Sequence, residues 1–176
     1  MFDIGDKVVY PMHGAGIIVD IEKKEILGEL KDYLIMQMPI GDMKVMIPVD
    51  NVADIGVRTI IEDKQIEEVI EILKGHKTAM PDNWNRRYRL NMDRIKSGDI
   101  YEIAEVVRNL MMLDDEKGLS TGERKMLTSA KQMLLSEMSL VQDLVVEEVD
   151  KMVCNYVLNF DEECDYDPQG NIEPAH

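Results

Sequence analysis

The chain has 176 residues, with 20 basic against 35 acidic side chains and a formal net charge of −15 at pH 7, a balance that argues against loose, global attraction to nucleic acid. A hydrophobic content of 45% beside a charged content of 31% fits a soluble globular chain of one domain or two small ones, with no apolar run long enough to span a bilayer. The N-terminus has neither a basic nor an apolar leader region, and Cys154 and Cys164 form no CxxC pair, so a cytoplasmic protein with reduced thiols is expected.

Residues 1 to about 58 read as strands. Lys7–Tyr10 is a short β-rich run closed by Pro11. Gly14-Ala15-Gly16 opens a second run, in which Ile17, Val19 and Ile21 fall on one face at a period of two. Leu27-Gly28-Glu29 is a turn signal before Asp32–Met38. Gly41-Asp42 reads as a hairpin loop leading into Met43–Pro48. Four or five short strands in this span predict a small, strongly bent sheet or SH3-like barrel.

The pattern then becomes helical. Ile66, Val69, Ile70 and Leu73 have amphipathic spacing, and Gly75 and Pro81 bracket a connector. A second helix starts near Asn83, with Tyr88, Met92 and Ile95 on one face, and ends at Ser97-Gly98. Asp99 with Glu102 predicts a capping box for a third, lined by Ile100, Ile103, Ala104, Val107, Leu110 and Met111 and closed by Gly118. Ser120 with Glu123 caps a fourth, whose inner face holds Leu127, Ala130 and Leu134. Val145, Val149, Met152 and Tyr156 continue the periodicity, either as an extension or as a fifth helix. The reading is α+β: a β-domain over 1–58, a linking helix and connector over 59–82, a helical domain over 83–160, and an acidic tail over 161–176 whose composition predicts disorder.

No grouping of residues marks catalysis or metal binding. His13 lies in a turn without a Ser or Cys partner motif, and the carboxylates show no acid/base spacing. Gly14-Ala15-Gly16 lacks the rest of a dinucleotide or phosphate loop and reads as a turn or bulge pair. The three histidines and two cysteines have no ligand spacing. No cofactor is expected.

One segment stands apart: Asn83-Trp84-Asn85-Arg86-Arg87-Tyr88-Arg89 holds the only Trp of the chain and three arginines. From 79 to 142 there are ten acids and ten bases, whereas 143–176 carries ten acids against one base. The acidity is therefore segregated, and the middle of the chain can meet a polyanion. Arginines beside an amphipathic ring at a helix N-terminus suit phosphate and base-step contact. Arg86 and Arg89 can share a helix face, with Arg87 about 100° round from Arg86. The competing reading puts Trp84 in the helical core with Tyr88, in a protein–protein adaptor.

Several segments together resemble the CarD/CdnL family of bacterial transcription regulators. These are Gly5–Gly14, Asn83–Tyr88, Ser97-Gly98-Asp99, Ala104–Arg108 and Gly118–Leu127, in that order. The first domain also resembles the polymerase-interacting module of transcription-repair coupling factor. The resemblance implies a Tudor-like domain that binds the RNA polymerase β subunit, partly edge to edge, through Lys24, Val45, Met46 and Ile47. It further implies a helical domain on promoter DNA at the upstream edge of the melted bubble. Trp84 would match the wedge in the minor groove, and Arg86, Arg87, Arg89 and Arg124 the basic positions near the backbone. Neither a small-molecule substrate nor a membrane is implied. Some relatives carry Arg where this chain has Met46 and Lys24.

Overall fold

The computed structural model describes residues 1–158; the tail expected to be disordered lies outside the described residues. The first part is one antiparallel sheet: β1 (Lys7–Tyr10), β2 (Gly14–Ile26), β3 (Glu29–Gln37), β4 (Lys44–Pro48) and, after the single turn α1 (Val52–Ile55), β5 (Arg58–Thr59). Strand order is β4-β3-β2-β1-β5. The two outer strands do not pair with each other, so the sheet stays open and is barrel-like only loosely. The two hairpin loops are where the turn residues placed them. Leu27 and Gly28 have φ of 54° and 79° between the paired Ile26 and Glu29, the positive pair that matches strand twist in a tight hairpin. Gly41 and Asp42 have φ of 68° and 50° within the longer loop between the paired Gln37 and Lys44.

Val8, Ile18, Leu34, Met36, Met38 and Ile47 form the core of this domain. The expected face of Ile17, Val19 and Ile21 is not the buried one. Gly14, Gly16 and Ile18 hold the buried side of β2 ahead of a bulge, where register shifts between Ile18 and Asp20. Ile18 is fully buried, while Ile21 is exposed.

The helices are α2 (Asp63–Lys74), α3 (Trp84–Lys96), α4 (Ile100–Lys117), α5 (Thr121–Gln142) and α6 (Val146–Leu158). The fold is α+β. Its second core runs through all of them, from Ile66, Val69 and Leu73 of α2, through Ile103, Val107 and Leu110 of α4 and Leu134 and Met138 of α5, to Val149 and Val153 of α6. The linking helix α2 is thus also a packing element of the bundle. The capping box at Ser120/Glu123 forms as expected. Asp99 caps α4 through the Tyr101 N–H, without the expected reciprocal bond from Glu102. Beyond 142 the chain turns and makes the separate helix α6. Its buried stripe is Val146, Val149, Val153, Cys154 and Val157, and Val145 is exposed. The 145/149/152/156 pattern therefore named a face rotated slightly off the core.

The sheet and the bundle are joined along α5. Gly14 has φ of +115°, and a Cβ there would lie 2.7 Å from Ser136 Oγ, so only glycine lets the helix come this close. The Ala15 N–H donates to Ser136 Oγ at 2.9 Å, and Lys7 Nζ donates to the Leu140 carbonyl. The glycine pair read as a bulge or turn is therefore the seat of the domain junction. Arg58 on β5 grips the buried Glu137 of α5 with both guanidinium nitrogens, at 2.7 and 3.0 Å, and also donates to the Gly98 carbonyl. The Ile61 N–H completes the carboxylate's shell. A buried carboxylate is tolerated when its oxygens are satisfied in this way.

Candidate functional site

Trp84 is the first residue of α3, capped by Asn83, whose side chain accepts from the Arg86 N–H. The connector that delivers it is fixed by buried polar groups of α4. Arg108 donates to the Ile72 carbonyl at 2.8 Å, and the Asn109 side chain donates to Thr78 Oγ1 at 2.6 Å. The indole is 44% exposed. It leans on Tyr88, with ring centroids 5.5 Å apart, and its far edge passes over Gly122, where a Cβ would stand 3.5 Å from the ring. Its N–H donates to Ser120 Oγ at 2.8 Å. One side of the ring is therefore anchored and the rest faces solvent; Trp84 is not a core residue of the bundle.

Ser120 is the N-cap of α5, so this bond brings the first turns of α3 and α5 together. Both helix starts carry unpaired N–H groups and the positive end of a macrodipole. Beneath them Arg87 turns inward, its side chain 16% exposed, and its Nε donates to Glu123 Oε1. Glu123 is 2% exposed and also accepts the Ser120 hydroxyl. Burial pushes its carboxyl up, but the Arg87 bond and charge, aided by Ser120, prevail and hold it below the usual carboxylate range.

The structure thus divides the expected arginines. Arg86 and Arg89 are exposed and make no side-chain ion pair among the described residues. Arg124 is half exposed, with its Nε on the Leu119 carbonyl and Nη2 3.6 Å from Asp114. Arg87 is committed to Glu123 and supports the site from below. The role of Ser120 and Glu123 in holding the Trp84 cluster was not read from sequence. The capping box was legible, but not that its hydroxyl would also receive an indole from a helix 36 residues away.

The second set of expected residues lies on the sheet. Lys24 on β2 and Met46 on β4 flank β3, and Lys24 Nζ reaches Met46 Sδ at 3.6 Å. Met46 is 37% exposed and Val45 half-buried. Ile47 is wholly buried in the sheet's core, so a partner on the edge strand β4 would meet its backbone and not its side chain. Pairing alternation puts Met46 out where Ile47 points in. The His13 ring stands edge-on to Tyr10, with centroids 4.3 Å apart. Among the described residues no helix is long and apolar enough to cross a membrane.

The chain joins an edge-bearing sheet to a helical bundle that presents a cationic, aromatic corner, and sequence comparison assigns both parts to one family. Residues 2–61 match the CarD-like/TRCF RID domain, and residues 68–154 match the CarD C-terminal domain. The chain belongs to the CarD/CdnL family. It is 40% identical over 149 residues to a Bacillus subtilis (strain 168) protein described as "Putative transcription factor YdeB", covering 85% of this chain and 97% of that relative. The solution structure of the 72-residue N-terminal domain of Myxococcus xanthus CarD is 34% identical, covers 34% of this chain and 79% of its own, and superposes with a TM-score of 0.30.

Proposed function

We propose that this protein is a non-enzymatic transcription regulator that binds bacterial RNA polymerase and stabilises the open promoter complex. The sheet docks on the polymerase β subunit through the open edge of β4, with Lys24, Val45 and Met46 as contact side chains and the Ile47 backbone in the pairing. The helical domain then lies on promoter DNA at the upstream edge of the bubble. Trp84 wedges at the minor groove, Arg86, Arg89 and Arg124 hold phosphates, and Arg87 fixes the platform from inside. The wedge acts on DNA shape and stacking, so no base-reading motif is required.

The observation that carries this reading is the posture of Trp84: half exposed, anchored at its N–H, and flanked by the exposed Arg86 and Arg89. The same exposure speaks against an adaptor with Trp84 in its core. A differential affinity of about 1.4 kcal/mol for the open over the closed complex shifts melting tenfold, within the range of one inserted aromatic with phosphate contacts. The test is a pull-down with RNA polymerase followed by promoter-opening kinetics with and without the protein. Binding with a longer open-complex lifetime supports the proposal; binding to polymerase without any effect on opening removes it.

A further inference from the structure

We infer that the acidic C-terminal segment, 161–176, docks on this chain's own Arg86/Arg89/Arg124 corner and competes there with nucleic-acid phosphate; the competition rests on the function proposed above, the docking does not. The segment holds six carboxylates and neither Lys nor Arg, and it lies beyond the family match, which ends at 154. Its complement is specific in place. Across the Trp84 corner, Arg86, Arg89 and Lys125 are exposed and have no ion pair among the described residues, whereas Arg58, Arg87 and Arg94 are already bound to Glu137, Glu123 and Glu105.

The route is short. After α5 the chain doubles back: Asp150 of α6 pairs with Lys131, half-way along α5, at 2.8 Å. Tyr156 then lies under Lys74 Nζ, 5.2 Å from its ring centroid, at the end of α2 from which the connector runs to Trp84. The described chain stops two residues later. The remaining 18 residues can extend about 60 Å, well beyond the roughly 33 Å length of a 22-residue helix such as α5. A tether of this size holds its carboxylates at an effective concentration on the order of 1 mM. With a contact as weak as about 0.1 mM, that concentration occupies the corner about nine-tenths of the time and weakens DNA binding about tenfold. The contact is between exposed charges, so it fades as salt shortens the screening length to a few ångströms.

Trp84, the only Trp, reports on the corner without any DNA. The full chain is compared with a full-chain variant in which the six carboxylates are neutralised (Asp161→Asn, Glu162→Gln, Glu163→Gln, Asp165→Asn, Asp167→Asn, Glu173→Gln). At low salt the variant is expected to show about twofold greater acrylamide quenching of Trp84. A synthetic 159–176 peptide added to the variant is expected to reverse this saturably, and its neutralised form to have no effect. Equal quenching in the two proteins, together with no response to the acidic peptide, overturns the docking. Anisotropy with a short fluorescent duplex gives the second reading, with the variant expected to bind about tenfold more tightly at low salt and the two converging at high salt. Equal DNA affinities beside unchanged quenching refute the docking and leave the DNA-facing role intact. A quenching change with no DNA binding by either protein leaves the docking standing and removes the DNA-facing role.

Discussion

At Trp84 the structure gives a bulky aromatic two constraints and leaves the remainder of the ring exposed. The Ser120 bond fixes its rotation and Tyr88 supports its face. A ring held this way loses little conformational freedom on insertion, which favours a wedge over a flexible side chain. The platform below depends on the Arg87–Glu123 pair. Glu123→Gln leaves the Arg87 guanidinium half-buried without a counter-charge, and we expect a loss of roughly 3 kcal/mol in urea unfolding at neutral pH. The pH dependence follows from the depressed carboxyl of Glu123. Its contribution is fully present above the unfolded value of about 4.3 and is lost as pH falls through the lower folded value. The stability gap between wild type and Glu123→Gln should therefore be constant from about pH 5 to about pH 7 and should shrink on acidification below about pH 4.3. A gap that widens on acidification contradicts the assignment.

Among the elements, the strands and helices were largely legible because each carries its own punctuation. Leu27-Gly28 and Gly41-Asp42 turn the sheet, and Asn83, Asp99 and Ser120 start helices. What was not legible depends on partners distant in sequence. The buried side of β2 runs through Ile18 and not through Ile17 and Val19, and only the register with β3 reveals this and the bulge that follows. Ile47 looked like a contact residue because it belongs to an edge strand, yet the pleat turns it inward. The inward turn of Arg87 needed Glu123, and the use of Gly14 needed Ser136. Gly16 shows the same dependence: a Cβ there would sit 2.6 Å from the Gln37 carbonyl oxygen of β3, a backbone atom that cannot move aside alone. Gly16→Ala should cost about 1–3 kcal/mol in urea unfolding, the range for forced overpacking; a neutral result refutes the close approach.

For the whole molecule, the bidentate Arg58–Glu137 pair and the Gly14–Ser136 approach set the sheet against the bundle, so the β4 edge and the Trp84 corner are parts of one body. Such an arrangement allows two weak contacts to act as one, because docking by the sheet raises the local concentration of the corner at its target. On the proposed function it also reconciles a net charge of −15 with DNA contact, since polymerase binding would supply delivery. Truncating Lys24 and Met46 together to Ala should weaken polymerase binding about tenfold, in the range of a modest interface hot spot, while leaving Trp84 quenching in the free protein unchanged. Unaltered polymerase affinity would move the contact away from this edge. The most direct test of the proposed mechanism is the lifetime of the open promoter complex formed with Trp84→Ala, with polymerase binding measured on the same samples. The proposal predicts retained polymerase binding and a lifetime shortened about tenfold, equivalent to about 1.4 kcal/mol; an unchanged lifetime on a promoter that responds to the wild-type protein would contradict it.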